Sequence, residues 1–365
     1  MFDRRLVTSF DWILLLTVLA LAGIGIVNLY SATASWSEVS TPLYLKQVIW
    51  LCGGLLISLS LCLFDYRHLQ YFAVHFYVLS VCLLIFVEAM GRTSMGATRW
   101  IHLGFFNLQP SEVIKIAIIL LLARILAQTA NPLGFGLFEL WKPALWILVP
   151  VVLILKQPDL GTATIVVFIA GTMLLFAGLR RGAVISLGVL GVLAAVGGWF
   201  GLHDYQRARI RTFLNPEADP LGSGYHIIQS KIAVGSGGFF GKGFIQGSQS
   251  QLSFLPERHT DFAFSVFAEE WGFIGSVSLL VLYLFLVVWG LYIARQANDR
   301  FGLFLAVGVT AMNFWHIVVN LGMVIGLLPV VGVPLPLFSY GGTSMVTTMI
   351  GIGLLMNVSM RRFMF

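Results

Sequence analysis

Charged side chains are what this chain has least of. They make up 10% of its 365 residues, against about a quarter in an ordinary soluble domain. Hydrophobic residues fill 58%, and the mean hydropathy is +0.90. That balance excludes a water-soluble globule. It also makes the net charge of +6 a membrane-topology signal rather than a nucleic-acid one. Cysteine is scarce too. Cys52, Cys62 and Cys82 fall inside apolar runs with no loop partner and no metal-ligand spacing. They read as small buried hydrophobes, not as a disulfide framework or a metal site. Short alternating strands are missing, which argues against a membrane barrel. No heptad run, low-complexity tract or internal repeat divides the chain, so residues 1–365 read as a single domain.

What is present is a series of apolar runs, each near the length that crosses about 30 Å of hydrocarbon. Backbone groups in lipid must be satisfied within their own segment, so these runs are helices. The pattern predicts an all-α polytopic membrane protein with ten transmembrane helices, at 12–33, 46–64, 70–89, 110–128, 143–156, 161–179, 182–202, 262–294, 302–327 and 342–360. The first run follows Arg4 and Arg5 as a signal peptide would, but it exceeds an h-region of about 7 to 15 residues and reads as a retained span. Arg and Lys near the span ends gather on one side, which predicts both termini in the cytoplasm. Two outer segments follow: 90–109, expected to cap or re-enter the outer face, and a large extracytoplasmic loop at about 203–261 between helices seven and eight. Within that loop Tyr225–Val234 predicts a short interfacial helix, with Ile227, Ile228, Ile232 and Val234 near one face.

The chemistry-bearing residues cluster at the outer junctions. Asp261 stands where the polar run QLSFLPERHTD meets an apolar segment. It is either an N-cap for the eighth span, shared with Thr260, or a base for a substrate half in water and half in lipid. Pro110 suits the first turn of the fourth span, which places Glu112 at the favourable end of the helix dipole with Lys115 three residues on. That pair is a packing salt bridge, a functional pair facing a cavity, or both. In KQPDLGT, Asp159 reads as a cap in an ordinary turn. The glycine-rich run Gly235–Gly247 lacks the Walker spacing, since Ser236 stands where Gly is needed and Gly243 follows Lys242, so it reads as a flexible loop. Arg207, Arg209 and Arg211 are phosphate ligands or headgroup-seeking side chains. His316 and Asn320, one turn apart, suggest helix–helix hydrogen bonding. PLPLFSYGGTS breaks the backbone before the last span, as a cavity wall would.

Taken together, Arg99-Trp100, QPSE at 109–112 with Lys115, QPDLGT at 157–162, QSKIAVGSGG at 229–238, LPERHTDF at 255–262, AEEWG at 268–272 and PLPLFSYGG at 334–342 resemble the SEDS family of bacterial membrane proteins, the RodA/FtsW/SpoVE group. The likeness covers essentially the whole chain, and GKG at 241–243 with PERHTDF lies nearer the elongation branch than the division branch. The resemblance implies ten transmembrane helices and a large outer loop. It implies a peptidoglycan glycosyltransferase that polymerises lipid II at the outer face of the cytoplasmic membrane and works with a class B penicillin-binding protein. It carries the family's essential acidic residue onto Asp261, as general base, and its acidic–basic pair onto Glu112 and Lys115. Lys115, Arg99, Arg207 and Arg258 are then the candidate substrate-binding cations for the leaving pyrophosphate, and a divalent cation, magnesium or manganese, could share that task. Two rival readings stay open on sequence: a lipid II flippase and a non-catalytic scaffold for a transpeptidase.

Overall fold

The computed structural model describes residues 9–35, 41–90, 92–94, 97–102, 104, 107–129, 134–201, 204–218, 224–252 and 254–362. Arg4 and Arg5, part of the topology argument, lie outside the described residues. The chain runs α1 (Trp12–Thr33), α2 (Leu43–Leu63), α3 (Arg67–Met90), three short strands, α4 (Pro110–Gln128), α5 (Trp141–Lys156), α6 (Leu160–Ala177), α7 (Arg181–Gly201), α8 (Asp204–Leu214), α9 (Tyr225–Ser236), α10 (Ala263–Arg295), α11 (Arg300–Val324) and α12 (Gly342–Met360). Among the described residues nine helices are long and apolar enough to cross a membrane by length and composition. The tenth expected span, α4, has 19 residues but carries Glu112, Lys115 and Arg124, so its charge sets it apart from the nine.

That charge is tolerated because α4 lies inside the bundle, packed on α3, α6 and α11. The central helices α11 and α12 are mostly buried, whereas 6% of the apolar window of α7 is buried and it runs along the outside. Close approach rests on small residues, as between helices that lipid cannot drive together by the hydrophobic effect. A Cβ on Gly353 of α12 would lie 2.7 Å from the Ser58 Cα of α2, so no side chain fits there.

Three departures from the sequence reading matter. The polar stretch after α3 forms an antiparallel meander, β1 (Arg92–Ser94), β2 (Ala97–His102) and β3 (Asn107–Leu108), with Ile101 opposite Leu108. Strands this short give no alternation long enough to see in sequence. The α9 helix exists, but its packed face is Ile227, Ser230 and Ala233, while Ile232 is 44% exposed. Ser230 sets that face: its hydroxyl donates to the Val324 carbonyl at 2.7 Å and meets the Ser265 hydroxyl at 2.8 Å.

The third departure is the glycine-rich run, which is ordered rather than flexible. Gly272, with φ 63° and ψ −157°, breaks α10 in its first third. The loop patches the break. Lys242 and Gly243 donate their N–H groups to the carbonyls of Glu269 and Glu270, and Phe273 and Ile274 donate theirs to Gly238 and Phe239. Glycine is required because the backbones touch: a Cβ on Gly241 would lie 2.1 Å from the Glu270 oxygen. The buried Glu269 carboxylate locks the arrangement, taking the Lys242 ammonium at 2.7 Å and the N–H groups of Gln249 and Ser250 at 3.0 and 3.3 Å.

Candidate active site

Asp261 stands in the turn that precedes α10. The helix is capped by neither Thr260 nor Asp261: its N-cap is Phe262, with no side-chain bond, and the Thr260 hydroxyl donates to Glu257 Oε2 at 3.0 Å. The capping alternative for Asp261 therefore falls away. Its half-buried carboxylate accepts no hydrogen bond and forms no ion pair among the described residues. Opposite it lies the backbone of the Val331–Tyr340 loop. A Cβ on Gly332 would be 3.4 Å from Asp261 Oδ2, and Gly332 has φ +70°, a conformation that suits glycine. The turn and the loop are stitched together at two points. Asn320 Nδ2 donates to the Asp261 carbonyl at 2.9 Å and to the Val333 carbonyl at 2.8 Å, and the Tyr340 N–H donates to the His259 carbonyl at 2.9 Å.

A third wall comes from the start of α6. Asp159 caps that helix, as the sequence suggests, accepting from the Thr162 N–H at 3.2 Å and its hydroxyl at 3.0 Å. Gly161 follows so closely on Val331 that a Cβ would lie 2.5 Å from its carbonyl oxygen. The charges around Asp261 are thus Glu257 on its own turn, Asp159 on α6 and Arg209 on α8. Burial pushes the Asp261 carboxyl up to about 6, Glu257 and Asp159 push the same way, and Arg209 opposes them. A carboxyl poised there is ionised at neutral pH yet basic enough to take a proton.

The predicted cations are placed differently from one another. Lys115 is 1% exposed, donates to Glu112 Oε1 at 2.7 Å and meets His316 Nε2 at 2.8 Å. The other ring nitrogen, Nδ1, faces the Pro334 carbonyl at 3.3 Å. A carbonyl can only accept, so Nδ1 carries the proton and Nε2 accepts from the ammonium. Arg99, on β2, donates to the Gln157 carbonyl at 3.1 Å and to the Pro158 carbonyl. Arg258 points inward, 3% exposed, donating to the Ser250 carbonyl and, at 2.8 Å, to the Ser35 hydroxyl. Arg207 on α8 donates to the Phe200 carbonyl at 2.8 Å. Asp261 is therefore brought together with Asn320, Gly332, Glu257, Asp159 and Arg209, and with the Glu112–Lys115 pair through one turn of α11. His316 and Asn320 do bond, but Asn320 serves a turn and a loop rather than another helix. Gly332 and Arg209 carry little signal in sequence, because loop proximity decides their part.

An apolar groove of about 740 Å³ runs between α1 and α10, lined among others by Gly23, Val27, Phe240, Phe267, Trp271 and Leu282. Phe240 comes from the ordered glycine-rich loop, and Phe267, on α10, lies six residues after Asp261 in the chain. Among the described residues no group of three or more His, Cys, Asp or Glu side chains is arranged to hold a metal ion.

A bundle of membrane-length helices, with a carboxylate at one end that accepts no hydrogen bond among the described residues and an apolar groove between α1 and α10, defines a polytopic membrane protein. The FtsW/RodA/SpoVE family model, described as "Cell cycle protein", matches residues 11–363, and the chain belongs to that family. It is 43% identical to the peptidoglycan glycosyltransferase MrdB of Escherichia coli K12, over 92% of this chain and 91% of that protein. It is 37% identical to the peptidoglycan glycosyltransferase RodA of Treponema pallidum, over 98% and 99%. Among solved structures it resembles a chain of a peptidoglycan synthase complex that coordinates polymerization and crosslinking, with a TM-score of 0.83, 37% identity and coverage of 98% and 99%.

Proposed function

We propose that this chain is a peptidoglycan glycosyltransferase that polymerises lipid II at the outer face of the bacterial inner membrane, with ten spans, both termini in the cytoplasm and Asp261 as general base. The observation that supports it most directly is the Asp261 carboxylate itself, accessible and without a hydrogen-bond partner among the described residues. In the reaction Asp261 takes the proton of the acceptor sugar 4-hydroxyl. The oxygen attacks the anomeric carbon of the donor, whose bond to the lipid diphosphate breaks with inversion, and the diphosphate leaves with the electron pair. Such a base contributes about 10² to 10⁴ in rate. The developing negative charge calls for nearby cations. Arg209 on α8, whose charge reaches the Asp261 carboxyl, supplies that positive charge, and Arg207, which donates to the Phe200 carbonyl, lies two residues before it on the same helix. Lys115, Arg99 and Arg258 spend donors on protein acceptors and act on substrate through the shape and field of the rim. The groove between α1 and α10 receives the polyisoprenoid tail, whose apolar length matches its lining. A class B penicillin-binding protein is the partner, crosslinking the strands that this chain makes.

The test is gel analysis of products from purified lipid II with wild type and Asp261→Asn, each with and without the transpeptidase partner. Polymer from wild type and none from the variant is expected. Equal polymer from both would remove Asp261 from the chemistry. Lipid II that crosses vesicles in both, without being polymerised by either, would favour a flippase.

A further inference from the structure

Asn320 is buried completely, at 0% exposure, and both hydrogens of its amide are spent: one on the carbonyl of Asp261, the other on the carbonyl of Val333. Its orientation is fixed by chemistry, since turning the amide over would set Oδ1 against two carbonyl oxygens. The Oδ1 atom is buried and has no hydrogen-bond partner. An orphaned buried acceptor costs about 1 to 3 kcal/mol, so a residue meant only to fill space here would be apolar. One turn earlier on the same helix, His316 holds the next carbonyl of the same loop, that of Pro334, and ties it to Lys115 and Glu112. Between these anchors and the carboxylate lies Gly332, the residue that faces Asp261 Oδ2. One face of α11 thus fixes the backbone that carries the acid and the backbone that walls it.

We propose that Asn320 is a positioning residue for Asp261, holding the base and its facing wall in register while Glu112, Lys115 and His316 brace the same loop from the membrane side. This rests on the reading of Asp261 as the base. The groups whose charge reaches that carboxyl, Glu257, Asp159 and Arg209, are untouched by a change at Asn320, so a change in the acid's behaviour reports its placement. A loosened turn admits water to the carboxyl and returns it toward the ordinary carboxylate range.

The experiment uses the full chain with its transpeptidase partner and purified lipid II. Steady-state rates are measured against pH for wild type, Asn320→Ala, Asn320→Gln and Asp261→Asn, each normalised to folded protein. For Asn320→Ala, kcat falls about 10- to 100-fold, as misplacement by about 1 Å does. KM stays within a factor of about two, because the substrate contacts remain. The acidic limb of the kcat/KM profile, which reports the carboxyl of the free enzyme, moves below its wild-type position, because the lost register undoes the burial that raises Asp261. A rate loss with an unmoved limb, or wild-type rate and limb, overturns the proposal. If Asn320→Ala does not fold, Asn320→Gln, which keeps the donor one methylene out of place, decides by the same criteria. Wild-type turnover by Asp261→Asn would defeat the reading of Asp261 instead and is read separately.

Discussion

Both ends of the helix bundle hold carboxylates, and Asp261 at one end is treated unlike Asp11 at the other. At the end where α1 begins and α10 finishes, Asp11 is 7% exposed and saturated: it accepts from the Leu14 N–H at 3.0 Å, the Trp289 indole at 3.1 Å and the Ser359 hydroxyl at 2.7 Å. Asp299, before α11 and 31% exposed, accepts from the Tyr66 hydroxyl at 2.7 Å and the Gly302 N–H at 2.9 Å. At the end where α10 begins, Glu269 and Asp159 are saturated in the same manner. Asp261, eight residues before Glu269, has none of these bonds. The carboxylates that fasten helices are surrounded by donors, and Asp261 accepts from none among the described residues. The difference sets Asp261 apart from the fasteners on geometry alone, which is the arrangement its proposed role as a base requires.

The sharpest way to break that contrast is to neutralise one acid of each kind. Asp261→Asn should lower polymer formation by about 10² to 10⁴ while leaving the folded protein in place. Asp11→Asn should do the reverse, keeping turnover per folded molecule within about twofold and costing about 1 to 2 kcal/mol of stability through its lost charge-assisted bonds. Thermal unfolding in detergent and product gels, run on both, read the two quantities separately. Similar losses of activity in both would erase the distinction.

Next in size is Glu269→Ala. It deprives the part-exposed Lys242 ammonium of its partner and strands the Gln249 and Ser250 N–H groups that the carboxylate now binds, and an orphaned buried donor costs about 1 to 3 kcal/mol. The glycine-rich loop would come away from the break at Gly272, so cleavage by added protease within 237–251 should rise well before global unfolding. An intact loop in that variant would show that the backbone bonds alone hold it.

How much of this was legible in the sequence follows from the kind of physics involved. Helix positions came through because an apolar run near 20 residues has few alternatives in lipid; α1 and α12 agree to the residue with the expected spans, and α4 was found in spite of its charges. The Glu112–Lys115 ion pair was legible from i,i+3 spacing, and Asp159 from its place before α6. Asp261 was visible as an acid at a polar–apolar junction, but its lack of partners was not, since that depends on where Asn320, Arg209 and Gly332 arrive from distant segments. The glycine-rich loop was misread for the same reason. Its glycines serve contact with α10, and no local signal distinguishes that from flexibility. Arg258, close to Asp261 in sequence, turns inward to Ser250 and Ser35, a direction that spacing alone does not fix.

A smaller effect tests the electrostatic half of the contrast. The Asp261 carboxyl is raised to about 6 in the folded protein, from an ordinary value of 3.8. A group raised on folding holds its proton more tightly in the native state, so its stabilising effect is complete below the unfolded value and lost as pH rises through the folded one. Between pH about 4 and about 6 the native protein should therefore lose stability on this account. Asp261→Asn removes the cost of the buried charge. After allowance for partial solvent access, it should unfold with about 2 kcal/mol more stability than wild type at pH 7.5 and with no advantage at pH 4. Asp11→Asn, which disturbs the bonds from Leu14, Trp289 and Ser359, should show no such gain. A pH-independent difference between wild type and Asp261→Asn would mean that burial does not govern this acid.

The smallest expected change is at Gly332. An alanine there must hold φ near +70°, at a cost of about 1 kcal/mol, and its methyl would stand 3.4 Å from Asp261 Oδ2. That distance is ordinary contact, so the loop is not forced open, yet the methyl takes the space through which water and a substrate hydroxyl reach that oxygen. The two consequences can be told apart. Strain alone lowers the unfolding temperature and leaves turnover per folded molecule unchanged. Occlusion lowers turnover several-fold and raises the acidic limb of the rate profile, because the carboxyl loses solvent. The second pattern is expected, since Asp261 has no donor among the described residues to replace the water that a methyl would displace. The first pattern would place the working face of the carboxylate on Oδ1 and leave Gly332 a requirement of the backbone.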